Sequence, residues 1–176
     1  MINKKNGFTL AEILTVVFVF LIITTLVLAN FRKGEQTSQF LLATEQLASD
    51  IRKMQTQALT GIIEEEIVAS GGFGLYFDTA EADYYLLFRD DGDQDYDGED
   101  TILETVFLPN GITLGSLTED PLAVIFQPPK PTVYINGVQS TNSVEIQLAS
   151  GKVADKYGSV TLNRITGRVT AQLNNL

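Results

Sequence analysis

The chain has 176 residues and a formal net charge of −10, and it contains neither cysteine nor histidine. That composition excludes disulfides, thiolate metal sites, a cysteine nucleophile, a Ser-His-Asp triad and a histidine zinc site. The acidic balance lacks the basic footprint that phosphate backbones require, so nucleic acid is not an expected partner. No catalytic constellation is present, and the chain does not read as an enzyme.

The first element is an apolar run from Phe8 to Ala29 with Glu12 as its one charge. As a helix it covers about 33 Å at ~1.5 Å per residue, which matches a hydrocarbon core roughly 30 Å thick. Lys4 and Lys5 precede it and Arg32 and Lys33 follow, so the basic flanks alone do not orient it. A secretory signal peptide would have an apolar stretch of ~7–15 residues ending in small residues before a cut. This run is longer, and Thr24, Thr25 and Ala29 make a poor cleavage site. Beyond it, Phe40, Thr44, Leu47, Ile51, Met54 and Ala58 recur at spacings of three and four, one face of a helix. No proline interrupts Asn30 to Thr60, and Gly61 suits a C-cap. The pattern predicts one long helix from about Thr9 to Thr60, lipid-facing over 8–30 and amphipathic over 31–61. A carboxylate in an apolar helix is costly and usually functional, which singles out Glu12. The alternative is a side chain that snorkels to the interface.

The segment Lys4-Lys5-Asn6-Gly7-Phe8-Thr9-Leu10-Ala11-Glu12 resembles the type III signal of type IV pilins and type II secretion pseudopilins. The family pattern is a basic leader ending in glycine, then Phe-Thr-Leu, then glutamate at the fifth residue after the cut. The resemblance implies a leader peptide over 1–7, cleavage between Gly7 and Phe8 by a prepilin peptidase, and N-methylation of Phe8. It further implies that Glu12 pairs with the amino group of Phe8 on a neighbouring subunit. The expected location is the bacterial cytoplasmic membrane, single-pass with the C-terminal domain extracytoplasmic, and then a filament. Implied partners are other pilin or pseudopilin subunits, the peptidase, an assembly platform membrane protein and membrane lipid. Many family members carry a helix-breaking proline late in the apolar run. This chain has none, so local unwinding there is not implied.

From about Gly72 onward the periodicity changes. Strand-like runs occur at Phe73–Asp78, Tyr84–Arg89, Ile102–Leu108, Ile112–Leu117, Ala123–Gln127, Thr132–Asn136, Val144–Ala149, Ser159–Arg164 and Arg168–Leu173. Asn136-Gly137 and Thr166-Gly167 read as hairpin turns. Glu64–Glu66 and Pro128–Pro131 read as surface loops. A long helix followed only by strands predicts an α+β fold with an antiparallel β-rich domain over 62–176. The order of an acidic turn, Leu108-Pro109-Asn110-Gly111, Val124-Ile125-Phe126 and a last hairpin from Val160 to Val169 resembles the GspH/FimT group of minor pilins and pseudopilins. That likeness implies two β-sheets packed on the helix.

Between two of these strands, Asp90, Asp91, Asp93, Asp95, Asp97, Glu99 and Asp100 crowd into one loop. Starting at Asp93 the calcium-loop spacing D-x-D-x-D-G-x5-E is complete, with Asp93, Asp95, Asp97, Gly98 and Glu104. Side-chain oxygens of Asp93, Asp95, Asp97 and Glu104 are therefore the expected Ca2+ ligands. Glu99 falls where such loops use a backbone carbonyl. Magnesium is less suited, since it retains several waters and takes few carboxylates. The competing reading is a solvated acidic hairpin, because no helix enters or leaves the loop and Glu104 lies on a predicted strand. Lys152, Lys156, Arg164 and Arg168 form at most a small basic patch in an acidic domain.

The expected function is a structural subunit, a minor pilin or pseudopilin of a type IV pilus or type II secretion filament. The alternative is a membrane-anchored calcium-dependent adhesin or DNA-uptake tip.

Overall fold

The structure, a computed structural model, describes residues 9–60, 71–128, 132–139, 143–153 and 156–175, with residues 29, 30, 32 and 33 as backbone only. Gly7, Phe8 and Gly61, the Glu64–Glu66 loop and most of the Pro128–Pro131 loop lie outside the described residues. The chain comprises two compact units, Met1–Thr37 and Ser38–Leu176. One helix, α1 (Leu10–Thr60), contributes to both.

In the first unit α1 is apolar and free of glycine and proline up to Leu28. Its polar side chains close onto their own backbone. Thr15 donates to the Ala11 carbonyl at 2.8 Å, Thr24 to Phe20 at 2.8 Å, and Thr25 to Leu21 at 3.1 Å. No hydroxyl is then left seeking water from an apolar surface, the condition a helix in lipid must meet.

The second unit is α+β. Its strands are β1 (Gly72–Phe77), β2 (Tyr84–Asp90), β3 (Thr101–Phe107), β4 (Ile112–Leu117), β5 (Leu122–Gln127), β6 (Thr132–Ile135), β7 (Val144–Ser150), β8 (Lys156–Leu162) and β9 (Val169–Asn175). They form two antiparallel sheets, β3-β2-β1-β5-β6 and β4-β7-β8-β9. Each expected strand is present. Lys156–Gly158 extends β8 beyond its expected start, and a short 3-10 turn at Thr79–Glu81 was not foreseen.

One continuous core joins α1 to both sheets. The expected helical stripe is its centre: Phe40, Leu47, Ile51 and Ala58 are fully buried, with Met54 almost so. Sheet one meets them through Phe73, Leu75 and Phe77 of β1 and Leu122, Val124 and Phe126 of β5, alternate residues that share a face. Sheet two contributes Val144, Ile146 and Leu148 of β7 and Val160 and Leu162 of β8. The helix and β8 approach closely at Gly158, where a Cβ would stand 2.3 Å from Thr44 Oγ1. Only glycine lets β8 lie this near the helix. Arg52 donates to the Val169 carbonyl at 3.0 Å and Gln55 to that of Gly167 at 2.8 Å, which ties α1 to the β8–β9 turn. Asp50, a buried carboxylate on the core face, accepts from the Tyr85 hydroxyl at 2.7 Å and from Gln46 at 3.0 Å.

Two local expectations are corrected. Asn136-Gly137 does form a tight turn, with both residues at positive φ, but it returns only as far as one bridge between Ile135 and Val138. The next strand, β7, belongs to the other sheet. Arg164 is not part of a basic surface patch. It is 9% exposed and donates to the carbonyls of Val133 at 2.6 Å and Val138 at 3.0 Å.

Candidate functional site

Among the described residues one segment, Leu10–Leu28, is long and apolar enough to cross a membrane, with a mean hydropathy of 2.6 and every side chain exposed. Glu12 lies in its first turn. Its Oε2 accepts from the backbone N–H of Thr9 at 2.8 Å and from the Thr9 hydroxyl at 2.8 Å, while the Glu12 N–H donates to Thr9 Oγ1 at 3.3 Å. These reciprocal bonds are a capping box, which satisfies donors that the helix start leaves open. The sequence reading missed this role, although Thr-x-x-Glu ahead of an apolar run is its written signature.

The acidic loop connects β2 to β3 and is folded against the outer face of sheet one, away from α1. The anchor is Tyr96. Its ring stacks on Tyr76 at 4.2 Å and meets Phe88 edge-on at 4.9 Å. Phe88, Ala123 and Ile125 form a second, smaller core beneath it. Gly74 on β1 makes room, since a Cβ there would stand 2.5 Å from the Phe88 ring.

The carboxylates themselves order the loop backbone. Asp100 accepts from the N–H of Asp91 at 3.1 Å and of Asp97 at 3.0 Å, so it ties the two ends together. Asp93 accepts from Asp95 N–H at 3.0 Å, and Asp97 from Glu99 N–H at 2.7 Å. Such short-range bonds to backbone N–H groups are what aspartates make in tight turns.

Asp93, Asp95, Asp97 and Glu104 are not brought together. Glu104 pairs across the ladder with Leu87, a residue of the helix-facing core, so the pleat points it to the helix side of the sheet. There it bonds Lys53 at 2.9 Å. The loop packs on the opposite face. The carboxylates that do converge are Asp90, Asp91 and Asp93, each with an oxygen within 4.8 Å of the others.

Asp90 was in the acidic run but not in the expected ligand set. It is 2% exposed, because alternation along β2 places it on the face of Phe88. Its Oδ1 accepts from Gln94 N–H at 3.1 Å, and its Oδ2 has no hydrogen-bond partner. Burial first, and then the charges of Asp100, Asp93 and Asp91, push its carboxyl from 3.8 up to about 7, against the smaller opposing effect of the Gln94 N–H. The folded chain therefore holds this proton more tightly than the unfolded chain does. The stability that Asp90 contributes is therefore lost as pH rises from about 3.8 through about 7. Asp90→Asn should remove that contribution. In chelator, thermal melts should show the variant more stable than the parent at pH 8, with the gap narrowing at pH 5. An equal gap at both values contradicts the assignment.

Comparison of the chain with protein-family models, with curated proteins and with solved structures finds no match.

Proposed function

We propose that the chain is the precursor of a type IV pilin-like subunit, a minor pilin or pseudopilin of a type IV pilus or type II secretion filament. The observation that supports this most is the division of labour along α1. Its Leu10–Leu28 segment is exposed, apolar and charged only at Glu12, while the stripe from Phe40 to Ala58 forms the centre of a β-rich unit. A helix built this way serves as an anchor at one end and as structural core at the other. The leader-like segment before it adds the processing step.

In this reading the helix holds the subunit in the cytoplasmic membrane with the β-rich unit on the outer side. A prepilin peptidase cuts between Gly7 and Phe8, and the new amino group is methylated. An assembly platform then withdraws the subunit into a filament, where Glu12 of one subunit pairs with the amino group of Phe8 on its neighbour. An ammonium and a carboxylate inside an apolar bundle each require a partner, so the pair sets subunit register more than it adds net stability.

Processing is the direct test. Mass spectrometry of protein isolated from its native membrane should find a chain that begins at N-methylated Phe8. A chain that still begins at Met1, or one cut near Ala29, refutes the proposal.

A further inference from the structure

We propose that the β2–β3 loop holds a calcium ion on the carboxylates of Asp90, Asp91 and Asp93, a ligand set distinct from the one the D-x-D-x-D-G-x5-E spacing suggests. The inference is independent of the filament reading.

Three observations carry it. The first is distance. Oxygens bound to one calcium ion at ~2.4 Å stand no more than ~4.8 Å apart. One oxygen of each of these three aspartates meets that limit with respect to the other two. A magnesium ion at ~2.1 Å requires a tighter set.

The second is Asp90. A carboxylate oxygen that is enclosed and unpartnered is costly. Asp90 Oδ2 is such an atom, within a residue 2% exposed. A cation supplies both the charge and the contact. The chemistry of the set is oxygen only, which selects a hard cation over zinc or copper.

The third is preorganisation. The loop is held by Tyr96 on the sheet and by Asp100 across its ends, so the ligands need not be gathered from a flexible chain. At Gly71 a Cβ would stand 2.1 Å from Asp90 Oδ2. The neighbouring backbone therefore closes over this carboxylate and leaves no room for a side chain. Backbone carbonyls of the loop and water would complete the six to eight oxygens that calcium takes.

The test is calcium chloride added to the full-length chain in detergent, with matched sodium chloride as the ionic-strength control. Melting temperature should rise with calcium, and calorimetry should show saturable binding heat. Magnesium should act at least ten-fold more weakly. Asp90→Asn and Asp93→Asn should each abolish the calcium response. Asp97→Asn and Glu104→Gln should retain it, which separates this site from the spacing-based one. A cooperative melt and an unchanged circular-dichroism spectrum of Asp90→Asn without calcium would separate loss of binding from loss of fold. The proposal is overturned by no response beyond sodium chloride, by an equal response to magnesium, or by a response that survives Asp90→Asn and disappears with Glu104→Gln.

Discussion

Glu12→Ala is expected to abolish incorporation into filaments and to leave membrane insertion intact. Insertion should not suffer, because alanine makes the helix more apolar. Assembly should fail, because the proposed ammonium partner on the neighbouring subunit is left buried and unpaired, a loss of ~3–5 kcal/mol for each contact of this kind. The capping box offers a competing explanation, since alanine also removes the bonds to Thr9. Loss of a helix cap costs ~0.5–2 kcal/mol. Glu12→Gln separates the two. Glutamine can still close a capping box, but it carries no charge. Both variants should resist extraction from membranes and both should be missing from the sheared filament fraction. Normal incorporation of Glu12→Gln would assign Glu12 to capping alone, and normal incorporation of Glu12→Ala would leave it no role in assembly.

Two phenylalanines of the β-rich unit provide the second contrast. Phe126 on β5 is fully buried between β1 and β6, paired across the ladders with Phe73 and Val133. Phe107 at the end of edge strand β3 is 71% exposed, with Tyr84 as its aromatic neighbour at 5.7 Å. Phe126→Ala removes a whole ring from a closed core and should cost ~3–5 kcal/mol. Phe107→Ala should stay within ~0.5 kcal/mol. At roughly 2–4 °C per kcal/mol for a chain near this size, the first variant should melt about 6–20 °C lower and the second almost with the parent. Circular-dichroism melts of the purified chain in detergent measure both. Comparable losses for the two would mean that the core is not arranged around β5 as described.

Much of this architecture is legible in the residues. The long helix follows from an apolar run and a stripe at three-four spacing, and the strands follow from alternation bounded by turn residues. What local pattern does not carry is which strand joins which sheet. Asn136-Gly137 has the chemistry of a hairpin turn, and the turn forms. Turn chemistry reaches only a few residues, however, and the buried face of β7 belongs with β8. The convergence of Asp90, Asp91 and Asp93 was missed for a related reason. The calcium-loop spacing treats Glu104 as part of a loop, whereas it is already on a pleated strand and captured by Lys53. The better pointer was alternation along Tyr84–Asp90, which puts Asp90 on the side of Phe88, together with a tyrosine among the aspartates. The Asp90 carboxylate is closed over by Gly71, nineteen residues earlier in the chain, and that is a tertiary contact no spacing records.

The buried Arg164 bears on how this domain avoids sticking to itself. β6 is one border of the larger sheet, and a border strand presents unpaired backbone groups to any passing chain. Val133 and Ile135 are alternate residues, so their backbone polar groups point the same way. The Val133 carbonyl is taken by the Arg164 guanidinium, and both polar groups of Ile135 are taken by Val138. Three outward backbone groups of that border are therefore occupied, which hinders strand addition there. The opposite border, β3, is deformed by a bulge at which Leu103 has no ladder partner, and a bulged edge is a poor template for a flat intruding strand. Copies of this domain meeting at high local density would be hindered in this way from pairing along either border of their larger sheet.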